Sequence, residues 1–393
     1  MAGIYIHVPF CKKRCHYCDF YSSVNLKLAD GFKNSLISEI AQNKNFFRNS
    51  LQEPLNILTQ SSISDQDKST IGTLYFGGGT PSLLNQNTLK EIFAELKNNF
   101  HFSEDIEITF EVNPDDVTVK YCKMLLEFGA NRLSIGVQSF DNEQLKFMNR
   151  RHDAAMANES ISNAIKAGFS NISIDLIYGL PGMSIENWRE TLTKTFSFPI
   201  KHLSAYHLTI EEGTVFYKLE KSGRISTANE EESLNQFELL HEIATLNGFV
   251  HYEISNFAKP GNYSNHNSNY WNGSKYLGLG PSAHSYNRKI RRWNISSVEK
   301  YIRCINNPEK LFDLEELRMK DKLNEYTLTS LRTNWGMDLH YFHDTFGDEN
   351  YKYIFKILKK YSESGHVFFE NEKAIMTLKG WFISDRIISE MIL

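Results

Sequence analysis

The sequence predicts an α/β protein built on a parallel sheet, and three observations carry that expectation. Strand-like runs begin near Thr73, Ile106, Arg132, Asn171 and His202, with helical patterns between them. The clearest helical pattern is 88–100, where Leu89, Ile92, Phe93, Leu96 and Phe100 share one face. An apolar run at 3–8, stopped by Pro9, supplies one more strand ahead of the series. Strands alternating with amphipathic helices imply βα units, and βα units imply parallel strands.

Taken in order, the first strand is followed by a helix over 29–43, with Phe32, Leu36, Ile37 and Ile40 on one side. Residues 48–71 read as a loop excursion, because Ser, Gln, Asn and Asp dominate from Gln52 to Thr70. The strand Ile106–Val112 alternates strictly, with Ile106, Ile108, Phe110 and Val112 opposite Glu107, Thr109 and Glu111. Half-buried strands alternate in this way. Asp175 lies inside an otherwise apolar strand, where a carboxylate is costly to bury without a partner or a task. A later helix starts at the N-cap Asn229 and stops at Gly248. The last stretch, roughly 300–393, combines short helices, a strand pair at 365–378 and a final helix through Ile392. That pattern suggests a small winged-helix-like module. Eleven basic and eleven acidic residues over 318–393 leave it without the cationic excess that nucleic acid requires.

Composition is that of an ordinary globular protein, 41% hydrophobic and 23% charged, and 393 residues suffice for two domains. A net charge of −4 offers no general attraction to nucleic acid or anionic lipid. With no signal-peptide pattern and no long apolar run, a cytoplasmic protein is expected, where thiols stay reduced.

Three of the five cysteines, Cys11, Cys15 and Cys18, are spaced C-x3-C-x2-C in a polar loop right after the first strand. Thiolates that close together bind soft metals, and cubane iron–sulfur clusters are held by cysteine sulfur. Three is odd for disulfides in a chain without secretory features. A structural zinc site would have to recruit His16 or Asp19, and the cluster reading is preferred to both. With only three protein ligands, one iron stays open to a small molecule.

This loop, with Tyr17 before the last cysteine and the lead-in YIHVPFC over 5–11, resembles the radical S-adenosylmethionine (radical SAM) superfamily. The likeness is strongest to the branch that holds the oxygen-independent coproporphyrinogen dehydrogenases and the haem chaperones called HemW. It implies a partial (β/α)6 TIM-like barrel with a C-terminal α+β winged-helix-like domain, a [4Fe-4S] cluster on Cys11, Cys15 and Cys18, and SAM on the open iron. The GGGTP run over 77–81 is similar to the family's SAM-gripping turn, which assigns Gly78, Gly79 and Thr80 to SAM. By the same resemblance Tyr5, Tyr17, Glu111, Gln138, Arg150 and Asp175 belong on the SAM side.

In the second half, HNxxY from His266 to Tyr270 resembles the segment proposed to bind haem in HemW proteins, in a region without clear periodicity. Imidazole is a normal axial ligand of haem iron. His284 is an alternative ligand or a lining of the SAM pocket. The dehydrogenases carry a further cysteine two residues past the third, where this chain has Phe20, and a longer arm before the motif. The resemblance therefore implies a chaperone that binds a cluster, SAM and haem and hands haem to apo-proteins. Coproporphyrinogen III dehydrogenase is the alternative, so enzyme status is left open. Expected domains are a barrel at 1–225, a connecting segment with the HNxxY motif at 226–295 and the C-terminal module at 296–393. Haem recipients often sit at membranes, so transient membrane contact is one partner class and a homodimer another. Nucleic acid is not expected.

Overall fold

The computed structural model describes residues 1–47 and 69–393. Most of the expected 48–71 loop lies outside the described residues, and its last three positions already belong to a strand. The chain folds as two compact units, each assembled from separate stretches. One comprises Met1–Leu176, Leu208–Ser226 and Ser274–Glu315; the other comprises Ile177–His207, Thr227–Gly273 and Glu316–Leu393.

The βα series runs β1 (Ala2–Val8), α1 (Ala29–Gln42), β2 (Ser69–Gly78), α2 (Gln86–Asn99), β3 (Phe100–Val112), α3 (Val119–Glu127) and β4 (Arg132–Gln138). It continues with α4 (Asn142–Phe147), α5 (Ala154–Ala167), β5 (Ile172–Tyr178), α6 (Ile185–Phe196) and β6 (His202–His207). Strands β1 to β5 lie side by side in sequence order, and β1 to β4 pair in parallel, as does β4 with β5. Beyond β1, Tyr276–Leu279 adds one more parallel strand, and an antiparallel hairpin of His284–Tyr286 and Ile290–Asn294 extends that edge.

Period two in these strands separates two chemistries. Ile4, Ile6, Val8, Leu74, Phe76, Ile108, Phe110, Leu133 and Ile135 are buried on one face. There the helices pack, Phe76 stacking between Phe110 at 4.2 Å and Phe93 of α2 at 5.7 Å between ring centroids. The opposite face is polar, yet buried too. In register it sets Tyr5 beside Tyr75, Tyr75 beside Thr109, and Thr109 beside Arg132. A second row sets Glu111 beside Ser134 and Ser134 beside Ser173. The half-buried expectation for β3 is therefore corrected, since Glu107 and Thr109 are as enclosed as the apolar side. Burying so many polar groups is tolerable only where they satisfy one another or a ligand.

In the other unit β6 pairs antiparallel with Asn256–Ala258, which pairs in turn with Val250–Glu253. The helix expected after Asn229 is Glu230–Leu246, opened by a capping box of Asn229 and Glu232. Helices Met319–Leu331, Leu339–Phe346 and Asp348–Glu363 accompany a three-stranded antiparallel sheet of Met337–Asp338, Lys373–Met376 and Val367–Glu370. This is the winged-helix-like module, with its final helix broken into Leu378–Phe382 and Ser384–Ser389. Among the described residues no helix is long and apolar enough to cross a membrane.

Candidate functional site

Strand ends build the site. After β1 the chain enters the cysteine loop, and none of Cys11, Cys15 and Cys18 is in a disulfide. Among the described residues no three His, Cys, Asp or Glu side chains are grouped so as to hold a single metal ion. A cubane cluster instead takes one thiolate at each of several corners.

The surroundings fit an anionic cluster. Thr80 donates its hydroxyl to Cys11 Sγ at 3.6 Å, and Arg150 Nη1 lies 3.4 Å from Cys15 Sγ and 3.3 Å from the Tyr17 hydroxyl. The other Arg150 nitrogen, Nη2, donates to Asn113 Oδ1 at 2.8 Å and to the Gly136 carbonyl at 2.7 Å. Asn113 Nδ2 then donates to Thr80 Oγ1 at 3.1 Å, which closes a chain of polar contacts from β4 through β3 to β2 and back to sulfur. Burial pulls the Arg150 guanidinium down, but Tyr17 and Cys15 beside it more than reverse that, and it stays charged. Burial pushes the Cys18 thiol up to about 11, with Cys15 and Cys11 adding to the rise. Ligation by thiolate must then expel a proton.

The SAM-side expectation rests on the glycine turn and the carboxylates. A side chain at Gly79 would place Cβ 2.6 Å from the Phe10 carbonyl oxygen and 2.8 Å from that of Val8, because Gly79 N–H donates to Val8 O across that gap. Gly78 has φ +102 and lies against the His7 ring, so both positions demand glycine. Glu111 accepts from the Tyr75 hydroxyl at 2.8 Å and from Gly78 N–H at 3.1 Å. Burial first, and Asp175 second, raise its carboxyl to about 7, against the pull of Tyr75, Gly78 and Arg132. Asp175 accepts from Ser134 Oγ at both oxygens, 3.0 and 3.1 Å, which answers why an aspartate sits in that strand.

Gln138 ends β4 at φ +67, a conformation costly for a non-glycine residue, and its amide nitrogen sits against Gly136. Tyr5 bonds His7 Nδ1 at 3.1 Å and lies against Tyr75. Glu111, with Asp175 close enough to raise its carboxyl, lies beside the Gly77–Gly79 turn, and Arg150 keeps a buried Nε that no group meets; carboxylates and an unmet guanidinium nitrogen suit a ligand carrying both cationic and carboxylate groups. SAM has both, and when bound it would supply radical chemistry.

Tyr75, Asn113 and Ser134 were missed in the sequence. Period two identifies Ser134 and Tyr75 as facing the same way as Glu111, whereas Asn113 became meaningful only through Arg150.

His266 and Tyr270 are brought together as expected, but not in irregular chain. They lie on a short helix, Asn265–Trp271, opened by the N-cap Ser264. His266 is 2% exposed, with Nε2 3.0 Å from the Tyr270 hydroxyl. Seven residues are too few for periodicity to reveal a helix. His284 stacks on Trp293 across a hairpin.

A model for the radical SAM superfamily matches residues 5–194. The chain's fold is that of coproporphyrinogen III oxidase (HemN) from Escherichia coli, a radical SAM enzyme, at a TM-score of 0.82 and 23% identity over 100% of this chain and 90% of that one. The architecture is therefore the partial (β/α)6 barrel with its C-terminal module. The chain is 32% identical to the protein named heme chaperone HemW of Bacillus subtilis (strain 168), over 98% of both. With the namesake of Lactococcus lactis subsp. lactis (strain IL1403) it shares 30% over 99% of this chain and 97% of that protein. It is a member of the HemW family.

Proposed function

We propose that this protein is a haem chaperone: it carries a [4Fe-4S] cluster on Cys11, Cys15 and Cys18, binds SAM at the strand ends, and takes up haem for delivery to apo-proteins. The observation that carries it is the likeness to a heme chaperone over 98% of both chains. In this proposal Arg150, Thr80 and Asn113 hold the thiol loop to the strand ends, while Glu111, Asp175, Gln138 and the Gly77–Gly79 turn receive SAM. His266 is the haem ligand, and Tyr270 and Trp271 pack on the porphyrin. We place the protein in the cytoplasm, as a barrel at 1–225 followed by a connecting segment at 226–295 and an interaction module at 296–393. Transient membrane contact and a homodimer belong to the same proposal.

Phe20 supports the chaperone over the dehydrogenase. It stands where the dehydrogenases have a cysteine, and its phenyl ring is 69% exposed, outside any thiol set. The test is an anaerobic assay of the reconstituted protein with SAM, reductant and coproporphyrinogen III. Stable haem binding without porphyrinogen decarboxylation is the expected result; accumulation of protoporphyrinogen IX would sink it in favour of the dehydrogenase.

A further inference from the structure

Of the two ring nitrogens that His266 could offer to haem iron, Nε2, the one at the far end of the side chain, is already occupied. His266 is almost fully enclosed, and its Nε2 meets the Tyr270 hydroxyl at 3.0 Å, one turn on along the same helix, with the rings 5.3 Å apart and edge-on. Iron binds imidazole along the in-plane axis of a ring nitrogen that carries no proton. If Nε2 accepts from Tyr270, the hydroxyl proton fills that axis. If Nε2 donates, its proton must first move to Nδ1. In both tautomers the phenol oxygen stands where iron would stand, at a distance that leaves no room for both.

We propose that Tyr270 is an occluding residue: its hydroxyl caps His266 Nε2 in the haem-free protein and must swing away before the iron–nitrogen bond forms. One hydrogen bond breaks and one coordinate bond forms, and no redox partner is needed. The device would lower affinity on purpose, as suits a carrier that must also let go of haem. It rests on the haem proposal above and goes further, because it gives Tyr270 two opposing effects, ring packing in favour of haem and hydroxyl competition against it.

Tyr270→Phe separates these effects, since it keeps the ring and deletes the hydroxyl. Ferric haem added to the whole protein, followed by stopped-flow absorbance and by titration, should bind Tyr270→Phe faster and roughly two- to tenfold more tightly than the parent, the range set by one ordinary hydrogen bond. Unchanged or weaker binding overturns the occlusion. His266→Ala and the gentler His266→Gln are measured alongside, each checked for a parental melting profile. If both fold and still bind haem with the parental spectrum, the haem site itself is wrong and Tyr270's role goes with it. If they lose the axial-ligand spectrum while Tyr270→Phe gains nothing, only the occlusion fails.

Discussion

In the proposed SAM site, Glu111 is the residue where fold and ligand would meet most directly. Its carboxyl is half-titrated near pH 7 because burial and Asp175 oppose ionisation while Tyr75, Gly78 and Arg132 assist it. A cationic ligand arriving there favours the charged form, so binding must expel a proton. SAM affinity should therefore rise as pH increases through about 7 and level off above it. Calorimetry in buffers of different ionisation enthalpy reads the released proton directly. Glu111→Gln should lose roughly 1.5–3 kcal/mol of SAM binding, the worth of a charge-assisted bond, and flatten the pH profile. A profile that stays steep in that variant would place the titrating group elsewhere. At the thiols, Cys15→Ala should abolish the iron–sulfur absorbance; a variant that retains four irons per chain would refute the ligand assignment. Cysteine spacing and Asp175's odd place in an apolar strand were legible from the sequence. The Arg150–Asn113–Thr80 chain was not, because its members lie 37 and 33 residues apart and meet only across three strand ends.

At the scale of elements, β2 and the turn after it tie sheet to cysteine loop. Gly79 lets the turn pass 2.8 Å from Val8 O, and a methyl group there meets backbone that cannot rotate away. Gly79→Ala should destabilise the protein by about 1–3 kcal/mol through overpacking and reduce the iron bound on reconstitution. The helix Glu230–Leu246 depends on its start, where Asn229 Oδ1 accepts from Glu232 N–H at 2.9 Å and Glu232 Oε2 accepts from Asn229 N–H at 3.1 Å. Asn229→Ala should cost about 1 kcal/mol in urea unfolding. The sequence announces this helix through its cap and its Gly248 stop, while β3 begins six residues before its apolar alternation, since 100–105 carries charge on exposed positions.

For the whole molecule, the cysteine loop and the His266 helix belong to different compact units. Loss of one ligand site should then leave the other folded. Cys15→Ala is expected to lose iron and sulfide yet still develop a Soret band with haem. His266→Ala should do the reverse, and joint loss of both in either variant would contradict that independence. By itself, the sequence determined the βα succession, the thiol loop and the turn glycines, because local period, spacing and backbone permissiveness are properties of short segments. Only the tertiary structure decided that the polar face of the sheet is enclosed, that Arg150 faces sulfur, and that Tyr270 covers His266. Those are distances between side chains, and they exist only once strands are in register and a buried histidine has taken the nearest hydroxyl.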